Sequence, residues 1–174
     1  MNESVLYTLA EVGVTLAGFS GLVVVFRLRG TEAWTPTELR VFWLLIGDSF
    51  LVVIFAFLPI PLALANWSPE AVWGLCNALL GSVFIVVDLL VWQGERRDRA
   101  AKQLVTVPVI TPLLYVMSVA GFVMGLSLWL SAFNLVVQRG QAVYVLGLIF
   151  GIAFAAVEFL FFIGLMARQR VSQP

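Results

Sequence analysis

The sequence contains no histidine and a single cysteine, Cys76, among its 174 residues. Without histidine, haem ligation by an imidazole and acid–base catalysis by histidine are excluded. One cysteine cannot form an intramolecular disulfide or a thiolate metal cluster. No glycine-rich loop of the kind that cradles phosphate is present either. We therefore expect no cofactor and no metal site, and we expect that the protein is not an enzyme.

Charged residues are scarce as well. They make up 11% of the chain, against ~25% in soluble domains. The ten acidic and ten basic residues give a net charge of zero, so the chain lacks the concentrated positive field that a nucleic-acid partner requires. Hydrophobic residues make up 61% and the mean hydropathy is +1.03. This composition predicts an integral membrane protein whose first partner is the lipid bilayer.

Long apolar runs predict an all-α bundle of about five transmembrane helices, which together form a single domain over residues 1–174. A helix needs ~20 apolar residues to cross the hydrocarbon core, and it satisfies its own backbone hydrogen bonds there. Ser68-Pro69 is typical of a helix start, whereas Pro59 and Pro61 should kink or end the second helix. The predicted helices cover about 5–27, 36–58 (or to 65), 69–92, 112–137 and 141–166.

The distribution of Lys and Arg predicts the orientation. Nine of the ten lie on one side of the predicted bundle, and Arg139 alone lies on the other. The side that is rich in Lys and Arg should be cytoplasmic. We therefore expect a multi-pass protein of the cell membrane, with the N-terminus outside and the C-terminus in the cytoplasm. The basic loop 93–107 should extend the third helix into the cytoplasm. It is either a topology determinant or a docking surface for a partner at Arg96, Arg97, Arg99 and Lys102.

Small residues recur at four-residue spacing in three of the runs, which lets helix backbones approach closely. The sets are Gly13, Ala17 and Gly21, then Gly121 and Gly125, then Gly147, Gly151 and Ala155. This spacing suits helix packing within the chain or between subunits. Because a bundle of this size has little interior of its own, we expect a homo-oligomer.

Four acids interrupt the apolar runs: Glu11, Asp48, Asp88 and Glu158. An ionisable side chain at the centre of a membrane helix costs ~2.5–3.5 kcal/mol, and it normally faces protein or water and marks a functional candidate. No Lys or Arg lies deep in a predicted span to neutralise these acids. We therefore expect them to be protonated, hydrated or bound to a cation, as a transport or cation-binding set.

Helical spacing places each acid on a face with particular neighbours. On the first helix Glu11 shares its face with Thr8, Thr15 and Gly18, and on the fifth Glu158 shares its face with small residues. We expect these faces to meet around a polar path. The other residues predicted to line that path are Thr15, Asn77, Ser127, Ser131 and Asn134.

The stretch LAEVGVTLAGFSG at residues 9–21 resembles the first helix of the small multidrug resistance transporters. In that family a single membrane-embedded Glu alternately binds a proton or a cationic drug. The resemblance covers about a dozen residues of the chain, and it implies that role for Glu11.

Two classes of function follow from these observations. The first is a transport or channel protein in which Glu11 receives a cation or proton from outside, Asp48 and Glu158 hold it, and Asp88 passes it to the cytoplasm. The alternative is a non-catalytic membrane sensor or assembly subunit. In that case the acids are interhelical hydrogen-bond partners, and the basic loop docks another protein.

Overall fold

The computed structural model describes residues 3–28, 34, 36–100, 110–135 and 140–171, and these residues form an all-helical bundle. Lys102, Arg139 and the part of the predicted basic loop after residue 100 lie outside the described residues. The helices are α1 (Glu3–Leu28), α2 (Pro36–Phe57), α3 (Pro59–Leu64), α4 (Pro69–Ala100), α5 (Ile110–Ala132) and α6 (Gln141–Val171).

Five segments of the described chain are long and apolar enough to cross a membrane: Ser4–Leu22, Glu38–Leu64, Pro69–Ala100, Ile110–Ala132 and Gln141–Met166. Large apolar side chains cover the outside of the bundle, such as Trp43, which is 64% exposed, and Val119, which is 68% exposed. Such a surface is unfavourable in water and suits the hydrocarbon of a bilayer. The all-helical architecture is confirmed, and the five segments suggest a multi-pass membrane protein.

Helix α6 occupies the centre of the bundle. It contacts α1, α2, α4 and α5, whereas α1 packs mainly on α2 and α4 packs mainly on α5. Two helix pairs therefore flank α6, one on each side. As a result, side chains of α6 can meet side chains from both pairs, although the pairs are far apart in sequence.

Buried apolar residues form two clusters, one toward each end of the bundle. The first cluster contains Leu6, Leu9, Ala10, Phe55, Ala56, Val72, Trp73, Cys76, Leu80, Leu128, Tyr144 and Leu148, and the second contains Val41, Phe161, Phe162 and Leu165. Along α2, Asp48 lies between Val41 and Phe55, which belong to different clusters. Along α6, Glu158 lies between Leu148 and Phe161 in the same way. Asp48 and Glu158 therefore lie between the two clusters.

The predicted break in the second span occurs at Leu58, and two prolines explain it. Pro59 lacks the amide hydrogen that would bond to the carbonyl of Phe55 in a continuous helix. The hydroxyl of Tyr144 on α6 donates to that carbonyl instead, at 2.5 Å. The broken turn is thus closed by a side chain of the central helix.

Two asparagines end helices with left-handed backbone conformations, Asn66 at φ 59° and Asn134 at φ 55°. After Asn134, the amide of Leu135 donates to the carbonyl of Leu130 at 3.0 Å. This is the Schellman pattern of a helix C-terminus. Helix α5 therefore ends at Ala132 rather than at the predicted residue 137.

Helix α4 is longer than the predicted segment 69–92. At its start the hydroxyl of Ser68 accepts the amide hydrogen of Ala71 at 3.3 Å, as expected for a capping serine. At its other end the helix continues to Ala100. The described part of the basic loop is thus helical, as the sequence predicted.

Glycines bring α4 and α5 into close contact. A Cβ on Gly81 would lie 2.7 Å from the carbonyl oxygen of Gly125, and a Cβ on Gly125 would lie 3.1 Å from that of Gly81. Gly13 of α1 is similarly close to the backbone of Ser49 on α2, at 3.0 Å, whereas Gly21 has open space around it. Most of the spaced glycines therefore serve packing within the chain, and the homo-oligomer stays a prediction.

Candidate functional site

Three of the four predicted acids come together at the centre of the bundle. Asp48 of α2 and Glu158 of α6 lie within hydrogen-bonding reach of each other, and the charge of Asp88 on α4 acts on Asp48. A hydrogen bond between two carboxyl groups requires that one of them carries a proton. The pair is therefore a place where a single proton can be held between two helices.

Asp88 is fixed by residues of α5. The hydroxyl of Ser118 donates to its Oδ1 at 2.8 Å. A Cβ on Gly121 would lie 2.9 Å from its Oδ2, so the glycine leaves room for the carboxylate. The close packing of α4 on α5 thus includes a specific place for this acid.

Glu158 is the most deeply buried acid of the three, with 4% of its surface exposed. Its Oε2 has no hydrogen-bond partner among the described residues. A buried carboxylate oxygen that is not hydrogen-bonded is unfavourable by about 1–3 kcal/mol or more. This oxygen therefore requires a proton, a water molecule or a cation.

One end of the bundle carries Arg40, Arg96, Arg97 and Arg99, and we call it the basic end. There Arg40 of α2 crosses to α4, where its Nη2 donates to Oδ2 of Asp98 at 2.5 Å. Arg96 stacks on Trp92, with 3.5 Å between the guanidinium carbon and the ring centroid. Arg99 donates to the hydroxyl of Tyr115 at 2.5 Å. Three of these arginines thus contact their own chain, and a docked partner stays a prediction.

Two cavities accompany the acids. The smaller one, about 20 Å³, is bordered by Asp48, Asp88 and Phe154. The larger one, about 100 Å³, is bordered by Glu158, Ser118 and the same Phe154. A cavity needs roughly 10–15 Å³ to hold one water molecule. The smaller cavity therefore has room for about one water, and the larger cavity has room for several. Because the two cavities share Phe154, they are neighbours in the bundle.

The larger cavity leads from the buried acid to the basic end. Its walls come from α2, α4, α5 and α6, and they include Arg40, Glu95 and Tyr115. Glu158 is therefore connected by one space to residues near the surface. Mostly apolar side chains such as Leu44 and Leu114 complete the wall.

Glu11 lies apart from the other three acids. Its side chain is exposed on the outward face of α1, together with Thr8, Thr15 and Gly18. The expectation that this face meets the other acid-bearing helices is wrong, because the close contact at Gly13 turns a different side of α1 toward α2. The role that the local resemblance implies for Glu11 stays a prediction.

The five residues predicted to line a pore do not follow one path. Asn77 and Ser131 are fully buried, Ser127 donates to a backbone carbonyl of its own helix at 2.9 Å, and Asn134 ends α5. Thr15 lies on the outer face of α1. None of the five borders either of the two cavities described above. Thr15, Asn77 and Ser127 donate to backbone carbonyls of their own helices.

The sequence patterns did not predict Ser118, Glu95 or Phe154 as part of this site. Helical spacing could have pointed to Ser118, because it lies one turn before Gly121 on the glycine-bearing face of α5. The predicted polar stripe followed a different face of that helix, through Ser127 and Ser131. For Phe154 no signal existed, since an apolar residue in a membrane helix has no distinguishing pattern.

Comparison with known proteins finds no match for this chain: no family model fits it, and no curated protein or solved structure is significantly similar to it.

Proposed function

We propose that this protein moves protons across a membrane through Asp88, Asp48 and Glu158. The observation that carries the proposal is the meeting of three carboxyl groups, from three helices, beside two neighbouring cavities. A proton can pass between carboxyl groups directly or through a single water. The smaller cavity, at about 20 Å³, suits a proton carried by one water better than a larger cation.

The proposed path has an order along the bundle. Asp88 and Asp48 border the smaller cavity, and Asp48 passes the proton to Glu158 across the pair that they form. Glu158 then faces the larger cavity and the basic end. In the orientation that we propose, the basic end is cytoplasmic and the N-terminus is outside. The larger cavity would thus form the cytoplasmic part of the proposed path.

A second function is favoured by one observation, the hydrogen bonds that the acids make with their own chain. Ser118 donates to Asp88 at 2.8 Å, and Asp48 lies within reach of Glu158. Interhelical bonds of this kind stabilise membrane bundles by ~0.6 kcal/mol on average. On this interpretation the protein is a non-catalytic sensor or assembly subunit, and the acids hold α2, α4, α5 and α6 together.

Proton flux into liposomes separates the two functions. Purified wild type and the variants Asp48→Asn and Glu158→Gln are reconstituted with a pH-sensitive dye inside, and a membrane potential of either sign is applied. We expect flux in wild type and a loss of about 100-fold in both variants, the lower range for a positioned proton-transfer group. Glu11→Gln is the control, and we expect it to retain flux because Glu11 lies outside the cluster.

The opposite result is equally clear. If wild type carries no protons at either sign of the membrane potential, and Asp48→Asn only unfolds at a lower temperature than wild type, the proposal of proton transport is wrong. The acids are then interhelical hydrogen-bond partners.

A further inference from the structure

Glu95 of α4 borders the same cavity as Glu158. Its side chain is 23% exposed, so it reaches both the cavity and the surroundings of the basic end. Glu158 in contrast is 4% exposed and has an Oε2 without a hydrogen-bond partner among the described residues. The cavity therefore has one buried carboxyl group and one partly exposed carboxyl group on its walls.

Position along α4 relates Glu95 to the acid cluster. Asp88 and Glu95 are seven residues apart, which places them on one face of the helix about 10 Å apart at 1.5 Å per residue. Val91, between them on that face, borders the larger cavity with Glu95. One face of α4 thus carries a carboxyl group at each of the two cavities.

The cations beside Glu95 are bound to other groups as well. Arg40 borders the cavity too, but its guanidinium is bound to Asp98 at 2.5 Å. Arg99 lies 3.7 Å from Glu95, is 56% exposed and also donates to Tyr115. An ion pair of that length at an exposed position is weak. Glu95 is therefore not locked into a short, buried ion pair.

We propose that Glu95 is the carboxylate that exchanges protons between the Glu158 cavity and the solution at the basic end. This rests on the proposed proton transport. Protonated Glu158 releases its proton to a water in the cavity, water passes a proton to the Glu95 carboxylate, and the protonated Glu95 releases it to a water outside. Each step breaks one O–H bond and forms another, and no electrons are transferred.

The test compares Glu95→Gln with Glu70→Gln in the liposome assay. Glu70 is an exposed acid at the start of the same helix, so its variant removes the same charge far from the cavity. We expect a loss of flux of about 100-fold in Glu95→Gln and unchanged flux in Glu70→Gln. Glu95→Asp should keep most of the flux, because it retains a carboxylate at the mouth of the cavity.

Each outcome decides one of the two proposals. Wild type without flux overturns proton transport itself. Wild type with flux, together with full flux in Glu95→Gln, overturns only the role of Glu95. If Glu95→Gln does not fold, Glu95→Ser replaces it, and full flux in that variant overturns the role in the same way. Equal losses in Glu95→Gln and Glu95→Asp would also contradict it, because a relay requires the carboxylate and a structural contact does not.

Discussion

At the scale of single residues, the Tyr144 hydroxyl replaces a backbone hydrogen bond that is missing from a neighbouring helix. Pro59 leaves the carbonyl of Phe55 without its helical donor, and the Tyr144 hydroxyl donates to it at 2.5 Å. The tyrosine is fully buried, so water does not replace the bond. A proline-induced break in an apolar segment is thereby tolerated, in the way that neighbouring helices satisfy freed backbone groups in membrane proteins.

We predict that Tyr144→Phe destabilises the protein by about 1 kcal/mol. This value lies between the ~0.6 kcal/mol average for interhelical hydrogen bonds in membranes and the ~1–3 kcal/mol for an unsatisfied buried acceptor. Thermal unfolding in detergent measures the change. Tyr7→Phe is the matched control, because Tyr7 is 43% exposed on α1 and its variant should stay within ~0.5 kcal/mol of wild type. Equal stabilities of the two variants would show that the Tyr144 bond contributes nothing.

At the scale of helices, the α4–α5 contact depends on two glycines, which have no side chains to hold the helices apart. Gly81 and Gly125 face each other so closely that a methyl group on Gly81 would lie 2.7 Å from a backbone oxygen. A backbone atom cannot move aside as a flexible side chain can. The contact also positions Ser118 against Asp88, so helix packing and the candidate site depend on the same approach.

We predict that Gly81→Ala destabilises the protein by about 1–3 kcal/mol, because the helices must separate to accept the methyl group. The control is Gly47→Ala. Gly47 has nothing within 4 Å of a built Cβ, and alanine is favoured over glycine within a helix by roughly 0.5–1 kcal/mol. Unfolding in increasing concentrations of denaturing detergent compares the two. A Gly81→Ala variant as stable as Gly47→Ala would contradict the close packing of α4 on α5.

At the scale of the whole molecule, orientation in the membrane can be tested with the single native cysteine as an internal reference. Cys76 is fully buried, so wild type should not react with a membrane-impermeant maleimide. Ala65 and Ala100 are exposed residues at opposite ends of the bundle, after α3 and at the end of α4. We predict that Ala65→Cys reacts from outside intact cells and that Ala100→Cys reacts only in inverted vesicles. The reverse pattern would place the basic end outside.

Part of the candidate site was predictable from the sequence. The free-energy cost of placing a carboxyl group in an apolar helix depends on that helix alone. A carboxyl group in an apolar helix is unfavourable wherever the helix packs, so Asp48, Asp88 and Glu158 are recognisable without a structure. Which of them meet is not a local property. Glu11 satisfies the same sequence criterion, yet its face of α1 is turned outward because Gly13 packs on α2.

The sequence by itself determined the helical class, the five apolar segments and the break near Pro59, since these follow from hydrophobic length, backbone satisfaction and proline geometry. Only the tertiary structure decided which faces are buried. The five segments are apolar on most of their faces, so hydrophobicity alone allows many rotations of each helix. Close approaches at glycines such as Gly81, and hydrogen bonds such as that of Tyr144, select one of these rotations. That selection places Glu158 of the last helix between Asp48 and the cavity that leads to Glu95.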